Sequence, residues 1–223
     1  MLLANLKICG ITTRETAMFC AKSGVGALGA VFFRNSPRYV SPAQARALFD
    51  GLPASVARVG VFVDMPTAIL LDTAHAARLD TVQLHGDESA DTIAAAQKAG
   101  FHVIKVLKQT GPDLLKAAEA IPDTAGILVE CGKGSLPGGN GAVWNWADAA
   151  PLAEVRPFAL AGGLTPGNVA EALRLSGAVA CDLSSGVEVA PGVKNHDAIR
   201  RLIDALPLCE AGHAGSPFWS HNP

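Results

Sequence analysis

The chain alternates short apolar runs with longer amphipathic stretches, and this alternation constrains the fold more than any other feature of the sequence. The short runs are mostly continuous rather than alternating in polarity, which is typical of strands buried on both faces of a parallel sheet. Eight such runs are predicted as strands: 6–11, 27–33, 57–64, 81–85, 102–108, 126–130, 157–161 and 178–183.

The stretches between and after these runs carry signals for helix starts. Thr13, Ser89 and Asn195 stand where a side chain can cap a first turn, and Ser41 is followed by Pro42, a residue favoured at the first helical position. The predicted helices are 14–22, 43–49, 67–78, 90–98, 113–120, 167–175 and 196–206.

Strands that alternate with helices predict an α/β protein, and eight units within the first 206 residues favour a closed (β/α)8 TIM barrel at the small end of its size range. A doubly wound open sheet is the alternative, but no Gly-rich dinucleotide fingerprint follows the first strand. We assign residues 1–206 to a single-domain catalytic barrel. Residues 207–223 show no periodicity, and we expect a poorly ordered tail there.

Composition excludes several kinds of partner. With a net charge of −2 and 17% charged residues, the chain lacks the basic surface that nucleic-acid binding needs. No apolar run approaches the ~18 residues of a membrane span, and the N-terminus does not have the pattern of a signal peptide. The five cysteines form no close metal-type pair, and their odd number favours a reducing compartment. We therefore expect a cytoplasmic protein without nucleic-acid or membrane partners.

A thiol closes the first predicted strand, where Cys9 is followed by Gly10. Active sites of parallel barrels lie at the carboxyl ends of the strands, so Cys9 is a candidate catalytic group, although most free cysteines are buried small hydrophobes. Its candidate partner is Glu130, which ends the sixth strand. A thiol and a carboxylate that face each other across a barrel mouth suggest proton transfer.

Three further polar residues follow or end strands on the same face. Arg38 follows the second strand and could grip a planar carboxylate through paired hydrogen bonds, or could be an exposed arginine. His85 ends the fourth strand, where it could be an acid, a base or a hydrogen-bond donor, or could only pack. Asp64 ends the third strand in the same way. Several polar strand ends together favour a reaction site.

The loops after the last two strands have the composition of a phosphate site. Gly162 and Gly163 follow the seventh strand, and Ser184, Ser185 and Gly186 follow the eighth. In barrels these two loops often hold phosphate through backbone N–H groups and a helix N-terminus. Ordinary glycine turns are the alternative for either loop alone, whereas both loops together favour a phosphorylated ligand.

Two segments depart from the compact pattern. Residues 131–143 form a long Gly-rich loop after the sixth strand, which is either a lid over the site or a plain surface loop. The tail contains His213 and His221, which offer only a weak metal-site hypothesis beside the expected lack of order.

Seven motifs, in order from about residue 5 to residue 206, resemble the phosphoribosylanthranilate isomerase family of tryptophan biosynthesis. They are KICGIT (7–12), SPRYVSP (36–42), VGVFVD (59–64), QLHGDE (83–88), LPGGNG (136–141), LAGGLTPGN (160–168) and DLSSGVEVAPGVK (182–194). The resemblance implies a (β/α)8 barrel that converts N-(5-phosphoribosyl)anthranilate into 1-(2-carboxyphenylamino)-1-deoxyribulose 5-phosphate. This Amadori rearrangement needs no cofactor, and members of the family occur as monomers and homodimers.

The resemblance also implies roles for particular residues. Cys9 would be the general base, and Glu130 would be the general acid. Arg38 would bind the anthranilate carboxylate, and Asp182 would lie beside the substrate. His85 is a further candidate for substrate binding. The glycines and serines of the last two loops would hold the phosphate group.

Two residues depart from the family pattern. Glu130 stands where the family usually has Asp, and Asn145 stands where the family commonly has the Asp of Phe-Asp-Trp. The intrinsic pKa values of Asp and Glu differ by only about 0.4 unit, whereas the extra methylene shifts the carboxyl group by roughly 1 Å, which can cost about 100-fold in rate unless the backbone compensates.

Two other interpretations of the chain are open. One is a different phosphosugar isomerase or an aldolase-like barrel, for which Lys7 and Lys105 are the available Schiff-base lysines. The other is a catalytically weak barrel that binds a phosphorylated metabolite, with Glu130 as the sign of lost catalysis.

Overall fold

Eight parallel strands close into one barrel in chain order, with the last strand paired to the first. The computed structural model describes residues 3–109, 113–131, 144–206 and 218–220. The strands are β1 Leu6–Cys9, β2 Ala27–Val31, β3 Ala57–Phe62, β4 Thr81–Leu84, β5 His102–Gln109, β6 Gly126–Cys131, β7 Ala159–Leu160 and β8 Ala180–Leu183. The predicted (β/α)8 barrel is confirmed.

A helix follows each strand on the outside of the barrel. These helices are α1 Arg14–Lys22, α2 Pro42–Phe49, α3 Thr67–Ala76, α4 Ala90–Lys98, α5 Leu114–Glu119, α6 Ala150–Ala153, α7 Val169–Ser176 and α8 His196–Ala205. The predicted caps are confirmed: the side chains of Thr13, Ser41, Ser89 and Asn195 each accept a hydrogen bond from a backbone N–H of the first turn. At Ser41 the contact is reciprocal, since Gln44 reaches back to the Ser41 N–H.

Some boundaries differ from the sequence prediction. β3 ends at Phe62 rather than at residue 64, because Asp64 has a left-handed backbone with φ of 49° and leaves the ladder. α7 begins at Val169 rather than at residue 167. α6 was not predicted, because its four residues are too few to show a helical period and no side chain caps their first turn. None of these differences changes the order of the barrel.

The period of two along each strand divides the buried residues into an outer and an inner layer. Leu6, Ile8 and Phe62 belong to the outer layer, which packs between the strands and the helices. The inner layer contains small apolar residues together with charged ones, among them the fully buried Lys7. At the carboxyl ends of the strands, the inner layer opens into a cavity.

A short antiparallel hairpin, absent from the sequence prediction, follows β8. Its strands are β9 Glu188–Ala190 and β10 Val193–Lys194. Because the hairpin lies between β8 and α8, it brings two charged residues, Glu188 and Lys194, back to the mouth of the barrel.

Parts of three predictions lie outside the described residues. The proposed lid, 131–143, is described only at Cys131, so its movement stays a prediction. The assignment of 207–223 as a poorly ordered tail also stays a prediction, although Trp219 in its described part is fully buried. His213 and His221 are not described. Within the described ranges, no helix combines the length and apolar character needed to cross a membrane.

Candidate active site

An open cavity lies at the carboxyl ends of the strands, where small-molecule sites of barrel enzymes are found. Val31, Phe33 and Val61 give it an apolar wall. The cavity brings together all ten residues that the sequence predicted for catalysis, substrate binding and phosphate binding. They are Cys9, Arg38, His85, Glu130, Gly162, Gly163, Asp182, Ser184, Ser185 and Gly186.

Cys9 reaches the cavity from the end of β1 with 9% of its surface exposed. Burial raises the pKa of its thiol, and the positive charges of Lys7 and Lys194 oppose this rise. Cys20 and Cys181 are also free and buried, but neither lines the cavity. Among the described cysteines, Cys9 therefore combines access to a ligand with a nearby cation that favours the thiolate.

Lys7 lies inside the barrel, two residues before Cys9 and therefore on the same face of β1. Its Nζ is 2.8 Å from Oδ2 of Asp182 on β8. Burial alone would lower the pKa of Lys7, but the neighbouring Asp182 and Cys9 outweigh burial and raise it. Lys7 is thus a fixed positive charge beneath the thiol, a role that the sequence analysis missed. The period of two in Lys7-Ile8-Cys9 was the available signal.

The Asp182 carboxylate is only partly paired within the described part of the chain. While Oδ2 pairs with Lys7, Oδ1 is buried and has no hydrogen-bond partner in the described part of the chain. Asp182 lines the cavity, so its carboxyl group lies next to any ligand bound there. This geometry agrees with the predicted position of Asp182 beside a substrate.

Glu130, at the end of β6, lies against an imidazole. Its Oε2 is 2.7 Å from His85 Nε2, and both residues are 7% exposed. The two atoms are in contact, although the direction is not that of a regular hydrogen bond. On the other side of the ring, Gln83 Nε2 lies 3.2 Å from Nδ1. With the Gln83 amide donating to Nδ1, the proton of the neutral ring is on Nε2.

Arg38 is buried and is held by an internal carboxylate. Its Nε donates to Glu188 Oε1 at 2.9 Å, and its Nη2 donates to Glu188 Oε2 at 2.6 Å. Lys194 Nζ donates to the same Oε1 at 2.6 Å. Burial alone would raise the pKa of the Glu188 carboxyl, but the hydrogen bonds from Arg38 and Lys194 outweigh burial and lower it. The sequence analysis did not single out Glu188 or Lys194. A buried guanidinium needs a counter-ion, and this requirement could have predicted an acidic partner for Arg38.

The loop after β7 has a fixed, unusual backbone. Gly162 and Gly163 have φ values of 87° and 68°, which residues with a Cβ rarely adopt. Asn168 holds this loop, because its Oδ1 accepts from Thr165 N at 2.7 Å and its Nδ2 donates to Gly163 O at 2.9 Å. Asn168 was also not predicted from the sequence, although an Asn that closes a Pro-Gly turn often bonds its own backbone.

The loop after β8 packs directly on the loop after β7. A Cβ at Gly186 would overlap the carbonyl oxygen of Leu164, so only glycine allows this approach. The Ser184 hydroxyl donates to Cys9 O at 3.1 Å, and it accepts from Lys194 Nζ at 3.2 Å. The two predicted phosphate loops and the strand that carries the thiol therefore form one connected unit.

The departure at Asn145 has a local structural explanation. Its side chain donates to Asp148 Oδ1 at 2.7 Å and does not line the cavity. The flanking indoles do approach the site: Trp144 Nε1 donates to Ala161 O at 3.1 Å, and Trp146 Nε1 donates to Gly162 O at 3.3 Å. This segment thus supports the end of β7.

Three candidates from the sequence do not line the cavity: Asp64, Lys105 and the fully buried Lys7. Asp64 accepts from Asp87 N at 2.6 Å, and Lys105 donates to Glu88 Oε2 at 2.8 Å. Both side chains serve the loop after β4, so Lys105 is not placed to form a Schiff base with a ligand in the cavity. Across the described ranges, no three His, Cys, Asp or Glu side chains are grouped to hold a metal ion.

The closed barrel, with its cavity and glycine-rich loops at the carboxyl ends of β7 and β8, defines the chain as a (β/α)8-barrel enzyme. A sequence model of the family described as N-(5'phosphoribosyl)anthranilate (PRA) isomerase matches residues 6–205. The chain belongs to the N-(5'-phosphoribosyl)anthranilate isomerase family, as the motifs of the sequence predicted.

Individual relatives agree with this assignment. The isomerase of Paramagnetospirillum magneticum is 43% identical over 206 residues, covering 90% of this chain and 96% of the relative. That of Geobacter metallireducens is 40% identical over 201 residues, covering 90% and 98%. The crystal structure of phosphoribosyl anthranilate isomerase from Thermotoga maritima superimposes with a TM-score of 0.83 at 36% identity, covering 90% of this chain and 97% of that one.

Proposed function

We propose that the chain catalyses the Amadori rearrangement of N-(5-phosphoribosyl)anthranilate to 1-(2-carboxyphenylamino)-1-deoxyribulose 5-phosphate in tryptophan biosynthesis. Cys9 is the general base, and Glu130 is the general acid. One observation carries the proposal: a thiol beside a buried ammonium and a carboxyl group beside an imidazole line the same cavity. The rearrangement needs one proton given and one proton taken, so this pair matches its requirements.

The reaction begins at the ribose ring. Glu130 protonates the ring oxygen, the bond from that oxygen to C1′ breaks, and a Schiff base to the anthranilate nitrogen forms. The Cys9 thiolate then removes the proton from C2′, which gives an enolamine that tautomerises to the ketone. Lys7 favours the thiolate through its charge, and His85 orients the Glu130 carboxyl group. Hydrogen moves within one molecule, so the reaction has no need of a redox cofactor.

Arg38 binds the anthranilate carboxylate in this proposal. Glu188 occupies the Nε and Nη2 edge of the guanidinium, whereas no described residue is recorded as accepting a hydrogen bond from Nη1. A ligand carboxylate can therefore approach end-on while Glu188 keeps the plane of the guanidinium fixed. Asp182 Oδ1 accepts a hydrogen bond from a ribose hydroxyl on the opposite side of the cavity.

The phosphate group lies between the loops after β7 and β8. Gly162, Gly163 and Gly186 supply backbone N–H groups, and Ser184 and Ser185 supply hydroxyl groups. A solved relative supports this ligand class: its title describes phosphoribosyl anthranilate isomerase in complex with reduced 1-(o-carboxyphenylamino)-1-deoxyribulose 5-phosphate, and it superimposes with a TM-score of 0.79 at 36% identity.

The longer side chain of Glu130 fits the acid role because its carboxylate oxygen Oε2 contacts His85 Nε2. The 2.7 Å contact fixes where the extra methylene carries the carboxyl group. Shortening the chain to Asp would withdraw the carboxyl group by roughly 1 Å and break this contact, a displacement that costs about 100-fold in rate. The imidazole is therefore the element that lets Glu serve where the family usually has Asp.

The remaining features of the proposal concern the ligand, the oligomeric state and the cellular location. The partner is a small phosphorylated molecule, and the assembly is a monomer or a homodimer. One solved relative at 35% identity is titled as monomers of a dimeric enzyme from Thermotoga maritima. The cytoplasmic location rests on cysteine usage, since Cys9, Cys20 and Cys181 are free thiols.

Loss of the anthranilate substrate, followed by fluorescence, tests the proposal. Cys9→Ala and Glu130→Gln should each lower kcat by at least about 100-fold, the usual contribution of a general base or acid. Both variants should still bind the reduced product analogue. Cys20→Ala is the matched control, because Cys20 is also a buried free thiol but lies outside the cavity, and it should keep wild-type turnover.

Three outcomes would contradict the proposal in different ways. Near-normal turnover of Cys9→Ala would remove the base, and near-normal turnover of Glu130→Gln would place the acid elsewhere. A wild-type protein that binds the analogue without turning over the substrate would be the catalytically weak barrel instead.

A further inference from the structure

The inner layer of the barrel is poorly filled by its own strands near their amino-terminal ends. Barrel interiors are normally packed with bulky branched side chains. Here the corresponding positions are small: Ala27, Ala57, Gly126, Ala159 and Ala180. These residues leave room for a large side chain that the strands do not provide.

Trp219 fills this room from the described end of the tail. It is fully buried and packs in the same interior cluster as Ala27, Ala57 and Ala180. Its carbonyl oxygen accepts from Thr81 Oγ1 at 2.6 Å. All of these partners lie at the first residues of their strands, so the indole closes the end of the barrel opposite the cavity.

Phe218 anchors the same segment. Its N–H donates to Asn5 Oδ1 at 3.2 Å, and its carbonyl oxygen lies 3.2 Å from His102 Nε2. Its ring reaches over Gly126, where a Cβ would lie 3.4 Å away. Backbone contacts to the starts of β1, β4 and β5 therefore hold the segment in one register.

The indole also touches the charge network of the site. Lys7 Nζ lies 5.6 Å from the ring centroid of Trp219, within the range of a cation–π contact. On its other side, the same Nζ pairs with Asp182. Lys7 is thus confined between the indole on one side and its ion-pair partner Asp182 on the other. Removing the indole gives the ammonium space to move away from the thiol.

We propose that Trp219 is a positioning residue for the isomerase reaction: it plugs the amino-terminal end of the barrel and holds Lys7 beneath Cys9. The matched part of the family ends at residue 205, so Trp219 belongs to a feature of this chain beyond the shared barrel. The proposal rests on the role of Cys9 as the base, because Lys7 acts on the reaction through that thiol.

Two substitutions at Trp219 separate packing from the contact with Lys7. Trp219→Phe keeps an aromatic face and removes an indole N–H that has no partner among the described residues. Trp219→Leu keeps apolar bulk but has no aromatic face. Leu70→Ala is the control for a buried cavity, because Leu70 is fully buried on the outer side of the barrel, in α3.

Steady-state kinetics across pH give the readout. Trp219→Leu should lower kcat about tenfold with KM within about twofold of wild type, and the rising limb of kcat/KM should move upward by about 0.5 pH unit, because Lys7 stabilises the thiolate less. Trp219→Phe should have a kcat and a rising pH limb close to those of wild type. Leu70→Ala should lower the unfolding midpoint without moving the pH limb.

The outcomes distinguish failure of the Trp219 proposal from failure of the proposed isomerase reaction. A Trp219→Leu protein with wild-type kcat and pH limb, or with changes equal to those of Leu70→Ala, would overturn the proposal. The fluorescence contributed by Trp219 is the difference between the wild-type and Trp219→Phe spectra. It should be protected from acrylamide quenching, as expected for a buried indole. A solvent-exposed difference spectrum would also overturn it. Both spectra can be read even if the wild type lacks isomerase activity, which would instead contradict the proposed reaction.

Discussion

Gly29 gives the sharpest test of how the thiol is placed. It faces Cys9 across the β1–β2 pair, and a Cβ built on it would lie 2.9 Å from Cys9 Sγ and 3.1 Å from Cys9 Cα. Lys7 Cε would be 3.3 Å away. A single added methyl group therefore crowds the proposed base and the cation beneath it at once.

The size of the effect follows from these distances. Non-bonded heavy atoms prefer separations of about 3.5–4.0 Å, so in Gly29→Ala the Cys9 sulfur must retreat by about 0.6–1.1 Å. A displacement of about 1 Å at a reacting group costs about 100-fold in rate, which equals about 2.7 kcal/mol of transition-state stabilisation. Overpacking should also lower the free energy of unfolding by about 1–3 kcal/mol.

The assay compares kcat/KM, affinity for the reduced product analogue and unfolding in denaturant. Gly60→Ala is the matched control, because its Cβ would overlap Leu79 and lie 2.8 Å from the ring of Phe62 on the outer face of β3, away from the cavity. It should destabilise the fold while sparing turnover. If Gly29→Ala keeps kcat/KM within about threefold of wild type, or if Gly60→Ala loses as much, the reasoning on distance fails.

Two further predictions concern charge. In Lys7→Met the cation that lowers the pKa of Cys9 is gone, so the rising limb of kcat/KM should move up by about 1 to 3 pH units, and an unmoved limb would exclude Lys7 as its cause. In Glu188→Gln, Arg38 and Lys194 lose their shared carboxylate, and the free energy of unfolding at pH 7 should fall by about 3 kcal/mol. Because the folded pKa of Glu188 is lowered, its stabilisation is present above the unfolded value of about 4.3 and is lost as pH falls through the folded pKa. The difference in Tm between wild type and Glu188→Gln should therefore shrink on acidification, and a constant difference would contradict this.

Much of the fold could be predicted from the sequence because its signals are local. Continuous apolar runs give the strands, and Thr13, Ser41, Ser89 and Asn195 give the helix starts, since each acts within one turn. The short helix α6 escaped because it has no cap of its own. The β9–β10 hairpin escaped because two strands of three and two residues carry too little periodicity.

The site was predictable where a residue stands at a strand end, as Cys9 and Glu130 do. It was not predictable where two distant segments meet. The pair Lys7–Asp182 joins residues 175 positions apart, and Arg38 meets Glu188 across 150 positions. The sequence shows which charged residues need a counter-ion. Which carboxylate becomes that counter-ion depends on how the closed barrel brings distant segments together.

The spacing of Lys7 and Cys9 on β1 has a consequence for how this enzyme can vary. The two residues share a face because they are two positions apart, and the pairing of Lys7 with both Ala27 and Asp182 holds that face inward. An insertion or deletion of one residue before Lys7 that moves β1 by one position would turn the thiol and the ammonium outward together, towards the helices. The acidity of the proposed base therefore depends on which face of the four-residue strand β1 points inward, and loops around the mouth can change in length without disturbing it.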